Sequence, residues 1–287
     1  MARPIGIYEK ATPKQFTWLE RLSFAKSLGF DFVEMSIDES DERLARLDWS
    51  KEERLKLVQA IYETGVRIPS ICFSGHRRFP LGSSNPEKEK IALKMMKKCI
   101  TLAQDLGVRT IQLAGYDVYY EDKSQETRQR FLKNLRKACD WAEEAQVNLA
   151  IEIMDDPFIN SIEKYLAVEK EIDSPYLFVY PDTGNLSAWG NDLWSECYIG
   201  HRSIAAIHLK DTYPVTENSK GQFRDVPFGQ GCVNWQEMFR VLKKSNYNGP
   251  FLIEMWTENC QSIEETRKAI QEAQDFLYPL IEEAGLS

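Results

Sequence analysis

The stretch Asp105-Leu106-Gly107-Val108-Arg109-Thr110-Ile111-Gln112-Leu113-Ala114 contains the end of one element and the whole of the next. A helical stripe stops at Gly107, where glycine adopts the left-handed conformation that ends helices. Three residues on, an apolar run of strand character begins. The same arrangement recurs at Ser27-Leu28-Gly29-Phe30 and at Glu63-Thr64-Gly65-Val66. Reading outward from these points, apolar runs occupy residues 5–8, 30–37, 67–73, 110–114, 148–154, 176–180, 204–210 and 250–255. They are continuous rather than alternating, as expected of strands buried on both faces of a parallel sheet. Amphipathic segments with helical period lie between them. The third opens with Asn85 as cap, Pro86 at the first turn and Glu87 after it. Segments 125–145 and 262–284 carry charge along one face, as helices facing water do.

Eight strand–helix units with no linker rich in Pro, Gly or Ser predict an α/β fold. The expectation is a single (β/α)8 TIM barrel domain over residues 1–287. The competing open doubly wound sheet would place a GxGxxG turn after its first strand, and none follows residues 5–8.

Composition sets limits on function. The 287 residues carry 36 Lys plus Arg against 44 Asp plus Glu, a net charge of −8, with 43% hydrophobic and 28% charged residues. That balance belongs to a globular protein and excludes collagen-like, low-complexity or largely disordered chains. No apolar run is long enough for a membrane helix, so no membrane partner is expected. Met1-Ala2-Arg3-Pro4 lacks the shape of a signal peptide, and the six cysteines form no CxxC pair. Together these predict reduced thiols and a cytoplasmic location. The net acidity argues against nucleic acid as a partner. With only three histidines, a Cys–His nucleophile is not expected.

Chemistry in such a barrel sits at the C-terminal strand ends, and four of them carry an ionisable residue. These are Glu152 in Leu149-Ala150-Ile151-Glu152-Ile153-Met154, Asp182 after Val179-Tyr180-Pro181, His208 in Ala206-Ile207-His208-Leu209-Lys210-Asp211, and Glu254 in Leu252-Ile253-Glu254-Met255-Trp256. On consecutive strands they can converge. Three carboxylates and one imidazole make an oxygen-rich set suited to one divalent ion, Mn²⁺, Co²⁺ or Mg²⁺, with Zn²⁺ also compatible. Such an ion would also offset acids whose unpaired burial is expensive. Further candidates for substrate contact are Glu34, His76 and Arg77 in Ser74-Gly75-His76-Arg77-Arg78, Lys210, and Arg224 before Pro227-Phe228-Gly229-Gln230-Gly231. The His-Arg-Arg run has the make-up of an anion clamp. Tyr116, Tyr119 and Tyr120 form either a wall of the site or ordinary loop packing.

These strand-end motifs resemble the xylose-isomerase-like barrels. Gly6-Ile7-Tyr8-Glu9-Lys10-Ala11, Phe32-Val33-Glu34-Met35-Ser36, His76-Arg77-Arg78-Phe79-Pro80-Leu81-Gly82-Ser83 and Gln112-Leu113-Ala114-Gly115-Tyr116-Asp117-Val118-Tyr119-Tyr120 narrow the resemblance. They are similar to the L-xylulose-5-phosphate (L-ribulose-5-phosphate) 3-epimerases of L-ascorbate and related sugar-acid catabolism. The resemblance covers nearly the whole chain. It implies metal ligation by Glu152, Asp182, His208 and Glu254, with Glu152 and Glu254 also acting as acid and base. It implies a sugar-phosphate substrate and is compatible with a homodimer. Two positions depart from the pattern: Asn185 stands where barrels acting on free ketoses carry histidine, and Gln230 where glutamate is expected. Rival readings are an aldose–ketose isomerase on a sugar phosphate, which shares the enediolate chemistry, and a non-enzymatic sugar-phosphate binding protein. An apurinic-site endonuclease needs three zinc ions and more histidines than this chain has.

Overall fold

Gly65 and Gly107 do what their positions predict. Each caps a helix with positive φ, +75° and +71°, and a strand follows within a few residues. The helix after Asn85 begins as expected, with the Asn85 side chain accepting from the Glu87 and Lys88 backbone N–H groups. In this computed structural model, which describes residues 3–287, the pattern builds eight parallel strands. They are β1 Ile5–Tyr8, β2 Phe32–Ser36, β3 Ser70–Phe73, β4 Thr110–Ala114, β5 Asn148–Glu152, β6 Leu177–Tyr180, β7 Ile207–Leu209 and β8 Phe251–Ile253. The crossover helices are α1 Trp18–Ser27, α2 Lys51–Thr64, α3 Pro86–Leu106, α4 Gln125–Ala145, α5 Ile162–Ile172, α6 Leu193–Gly200, α7 Trp235–Lys244 and α8 Ile263–Glu283.

The strands pair in the order β6-β5-β4-β3-β2-β1-β8-β7. Parallel bridges Val179↔Ile204 and Asp182↔His208 join β6 to β7 and bring the sheet close to a closed barrel. The last bridge already sets two of the strand-end residues side by side. Each of the eight barrel strands falls inside its expected run. Residues trimmed from the C-terminal ends of the runs, such as Met154, Lys210 and Met255, follow the last ladder pair.

Helices cover the outside because each has one apolar stripe. In α7 the stripe is Trp235, Met238, Phe239, Val241 and Leu242, all buried, while Arg240, Lys243 and Lys244 face water. The helix starts where Asn234 accepts from Glu237 N–H at 3.2 Å. Burial of each large side chain of this stripe contributes roughly 1.5–3 kcal/mol. The charged faces of α4 and α8 are likewise outward, and the helical-period apolar positions are buried together with Thr127, Asn134, Thr266 and Gln274.

Three features add to the simple repeat. Short helices span Asp41–Leu44 and Thr183–Ala188, and an antiparallel hairpin pairs Tyr213–Thr216 with Ser219–Gln222. The hairpin accounts for the long interval between β7 and β8. Buried Asp211 ties down the loop behind it, accepting from the backbone N–H of Thr212, Gly229, Gly231 and Val233 and from Trp235 Nε1. All six cysteines are unpaired thiols. Among the described residues no helix is long and apolar enough to cross a membrane.

Candidate active site

The polar residues that interrupt the apolar strands all meet at one end of the barrel. Glu152 is the last residue of β5, Asp182 follows β6, His208 lies within β7 and Glu254 follows β8. One ligand atom from each lies within 4.8 Å of the others, and all four residues are buried. The local chain explains the aim of each. Asp182 caps the short helix Thr183–Ala188, its Oδ1 accepting from Asn185 N–H at 2.6 Å, which turns Oδ2 inward. The Glu254 backbone N–H donates to Leu209 O at 3.0 Å, extending the β8–β7 pairing just far enough to place its carboxylate beside His208.

His208 is oriented from both sides. Its Nδ1 lies 2.9 Å from Glu152 Oε1 and 3.6 Å from Glu254 Oε2, facing the cluster. Its Nε2 points away, 2.9 Å from Glu34 Oε1. Glu34 is itself held by Ser70 Oγ at 2.6 Å and the Tyr180 hydroxyl at 3.2 Å, both donating to Oε2. An imidazole whose outer nitrogen is bound to a carboxylate is the usual support behind a metal-facing nitrogen. Gln112 of β4 donates from Nε2 to Glu152 Oε2 and fixes the second oxygen of that glutamate.

Three buried carboxylates this close cannot all carry charge without compensation. Burial pushes the Asp182 carboxyl up to about 8 despite the Lys210 charge beside it. Burial raises Glu152 as well, against the pull of His208. For Glu254, burial is outweighed by Lys210 and His208, and its carboxyl falls to about 2. On His208, burial works against charge, but Glu34 and Glu254 outweigh it and raise the imidazole.

The donor set fits a divalent cation on an observation independent of its composition. Asp182 Oδ2 and Glu254 Oε2 are buried without a hydrogen-bond partner. Lys210 Nζ approaches them to 3.1 and 3.2 Å, close enough for ion pairing but outside hydrogen-bond geometry. Seven buried side-chain polar atoms lack partners among the described residues. Five of them, on Arg77, Gln112, Asp182, Asn185 and Glu254, belong to this cluster or to the cavity above it. Native interiors leave few such atoms, and their concentration here singles out this cluster as the candidate site. The cavity holds about 260 Å³ and is lined by Arg77, Glu152, Asn185, Lys210, Arg224 and Glu254, among others. Ligand pockets commonly span roughly 300–1,000 Å³, so this one suits a compact, polar molecule.

Residues 22–280 match the family described as xylose isomerase-like TIM barrel. The chain belongs to this family. L-ribulose-5-phosphate 3-epimerase UlaE of Escherichia coli O157:H7 (strain EC4115 / EHEC) is 52% identical over 283 residues, covering 99% of this chain and 96% of its own. SgbU of Escherichia coli (strain K12), provisionally named an L-ribulose-5-phosphate 3-epimerase, is 57% identical over 281 residues, covering 98% and 97%. Among solved structures, that of an L-ribulose 3-epimerase superposes with a TM-score of 0.77 at 19% identity, covering 99% of this chain and 96% of that one. A D-allulose 3-epimerase from Methylomonas sp. gives 0.76 at 17%, covering 98% and 100%. At those identities the structures speak for the shared barrel alone.

Against this xylose isomerase-like frame, the remaining sequence candidates divide. Lys210 reaches the cluster, and Arg77 and Arg224 line its cavity. Arg224 lies at the rim, half exposed, with its guanidinium 4.3 Å from the Trp256 ring centroid and 3.7 Å from Glu258. Glu34 and His76 do not open on the cavity. Glu34 is fully buried behind His208, its oxygens already occupied. His76 turns inward from the turn Ser74–Arg77 to pack on Phe73, with Nε2 3.4 Å from Ala92 O. Burial there lowers its imidazole to about 4. Of the three tyrosines, Tyr116 and Tyr119 flank Arg77, whereas Tyr120 is exposed and bonds Glu39. Gln112 and Asn185 were not among the sequence candidates. The signal for Gln112 was a lone amide inside the apolar run of β4. Asn185 donates from Nδ2 to Ile153 O at 2.8 Å and leaves its Oδ1 buried and free beside the cavity.

Proposed function

We propose that this chain, acting as one barrel domain over residues 1–287, is a metal-dependent 3-epimerase. It would interconvert L-ribulose 5-phosphate and L-xylulose 5-phosphate, as a cytoplasmic enzyme of L-ascorbate or related sugar-acid catabolism. The observation that carries the reading is the convergence of Glu152 and Glu254, from the outer two of four consecutive strands, on the Asp182–His208 pair. The names of its near-full-length relatives supply the substrate class.

Glu152, Asp182, His208 and Glu254 would hold the ion, Mn²⁺, Co²⁺, Mg²⁺ or Zn²⁺. A divalent ion bound there supplies Lewis acidity towards the ketose carbonyl and the neighbouring hydroxyl. The rest of the chemistry belongs to the side chains. Inverting C3 of a 2-ketose requires the C3–H bond to break, with its electron pair moving onto the carbonyl to form an enediolate. One glutamate takes that proton. The other delivers a proton to the opposite face, a new C3–H bond forms, and the carbonyl is restored. Glu152 and Glu254 exchange these roles when the direction reverses. Gln112 holds Glu152, and Glu34 holds His208, so neither group has to reorganise during turnover. Asn185 Oδ1 offers an acceptor to a sugar hydroxyl.

The test is product analysis by NMR after incubating L-ribulose 5-phosphate with Mn²⁺-loaded protein. A second ketose, L-xylulose 5-phosphate, is expected. An aldose, or no conversion, would overturn the reading.

A further inference from the structure

Four cationic side chains line the cavity: Lys10, Arg77, Lys210 and Arg224. Lys10 is answered by Asp38 at 2.6 Å and Arg224 by Glu258 at 3.7 Å, both outside the acid cluster, and Arg77 donates to the Tyr116 hydroxyl. Lys210 differs. Among the described residues it is the one lysine or arginine within ion-pair range, 4.0 Å, of Glu152, Asp182 or Glu254. Its Nζ lies 3.1 Å from Asp182 Oδ2 and 3.2 Å from Glu254 Oε2, the two oxygens without a hydrogen-bond partner. The local chain fixes where this charge sits. The Lys210 N–H donates to Thr183 Oγ1 at 3.0 Å, and the Thr183 hydroxyl donates back to Lys210 O at 2.8 Å. The backbone is thereby clamped to the short helix Thr183–Ala188, and the stem alone sets the reach of the ammonium. The residue is buried, with Nζ 5.9 Å from the Trp256 ring centroid.

Three carboxylates, one divalent ion and one ammonium make a cluster that is neutral overall. Proton transfer from C3 to a glutamate keeps that sum but moves the negative charge. The carboxylate loses it and the sugar gains it: the C3–H electron pair becomes the C2–C3 double bond, and the carbonyl pair moves onto O2. Lys210 touches the acids and also lines the cavity, so its charge faces both ends of that transfer. In a buried site, a fixed donor at the place where charge develops is worth far more than in water and needs no reorganisation. We propose that Lys210 is a catalytic residue of the epimerisation, donating an N–H hydrogen bond to an oxygen of the enediolate while keeping its own proton. The inference rests on the epimerase reading and adds a third working side chain to the two glutamates.

The test compares wild type and K210A, both Mn²⁺-loaded, on L-ribulose 5-phosphate. Loss of one such donor predicts a fall in kcat of about 10²- to 10³-fold. KM should stay within about threefold, because the contact strengthens only as charge develops. Propylammonium replaces the atoms severed in K210A and should restore part of the turnover in a saturable way, whereas uncharged propanol should not. Calorimetric affinity of K210A for Mn²⁺ should be unchanged or higher, since a positive charge has left the ion's surroundings. Near-wild-type kcat, no rescue by propylammonium, equal rescue by propanol, or a loss of turnover explained by weaker Mn²⁺ binding would each overturn the proposal. Should K210A fail to fold in a melting assay, K210M keeps the stem and carries the same comparison of kcat, KM and Mn²⁺ affinity. If wild type formed no second ketose, the epimerase reading would fall and this assignment with it. An active wild type beside an equally active K210A would sink the assignment alone.

Discussion

Glu9, just past β1, and Glu254, just past β8, stand on paired neighbouring strands, and both are buried, yet their surroundings differ in kind. Glu9 is enclosed by arginines. Arg46 grips both its oxygens, at 2.6 and 2.7 Å, Arg43 lies at 2.6 Å and Arg21 at 3.9 Å, and Ser36 N–H donates at 2.7 Å. Burial alone would raise its carboxyl, but Arg46 and the other arginines hold it down at about 2. Glu254 shares its space with two more carboxylates, one histidine and one lysine, and keeps an unpartnered oxygen. The first cluster is neutralised by the chain itself. The second leaves an opening for a cation the chain does not provide. A buried acid is a structural fixture when its counter-charges are covalently present and a working group when one of them must be bound.

The comparison can be broken from either side. The largest effect should come from E152Q or E254Q, each of which removes a proposed proton carrier and a proposed ligand together. Turnover of L-ribulose 5-phosphate should drop by about 10²- to 10⁴-fold. Urea unfolding of metal-free E152Q should show no loss of stability, because the carboxylate it removes is one that burial disfavours in its charged form. Near-wild-type turnover in either variant would end the two-glutamate account. E9Q should do the reverse. It leaves three arginines buried around a neutral group, at a cost of about 3–5 kcal/mol in urea unfolding, while affinity for Mn²⁺ is kept.

The pH dependence sharpens the same contrast. The folded-state value for Glu9, about 2, lies below its ordinary 4.5. Its contribution to stability is therefore complete above pH 4.5 and is lost as pH falls through about 2. The difference corresponds to roughly 3 kcal/mol. The stability gap between wild type and E9Q should be widest at neutral pH and close progressively below 4.5. A gap that does not change with pH would show that the arginines do not hold Glu9 ionised.

The smallest effect concerns the residue behind the histidine. E34Q leaves all four candidate ligands in place but loosens the hold on His208 Nε2. Calorimetric affinity for Mn²⁺ should fall about 10- to 100-fold. Unchanged affinity would mean that Glu34 only fills space.

Much of this was legible in the residues themselves. Gly65 and Gly107 marked helix ends, and the eight apolar runs marked the strands, because both signals are local. Glu152, Asp182, His208 and Glu254 stood out because each puts charge at the end of an apolar run. Which way a side chain turns depends instead on barrel closure. Glu34 looked like a substrate contact in a single strand, but β6 and β7 close over it with Tyr180 and His208. His76 and Arg77 are adjacent in sequence, yet the turn Ser74–Arg77 sends one into the packing against α3 and the other to the cavity. Gln112 acquires meaning only through Glu152 on the neighbouring strand, with which it shares no sequence motif.

The proposed chemistry has this open acid cluster move a proton at C3 once a divalent ion is bound. The most direct measurement is NMR of L-ribulose 5-phosphate recovered from incubation with Mn²⁺-loaded protein in D₂O. Deuterium is expected at C3 of the recovered substrate and of the second ketose, abolished by chelation and by E152Q or E254Q. Deuterium at C1 with an aldose product, or no deuterium in the sugar at all, would contradict it.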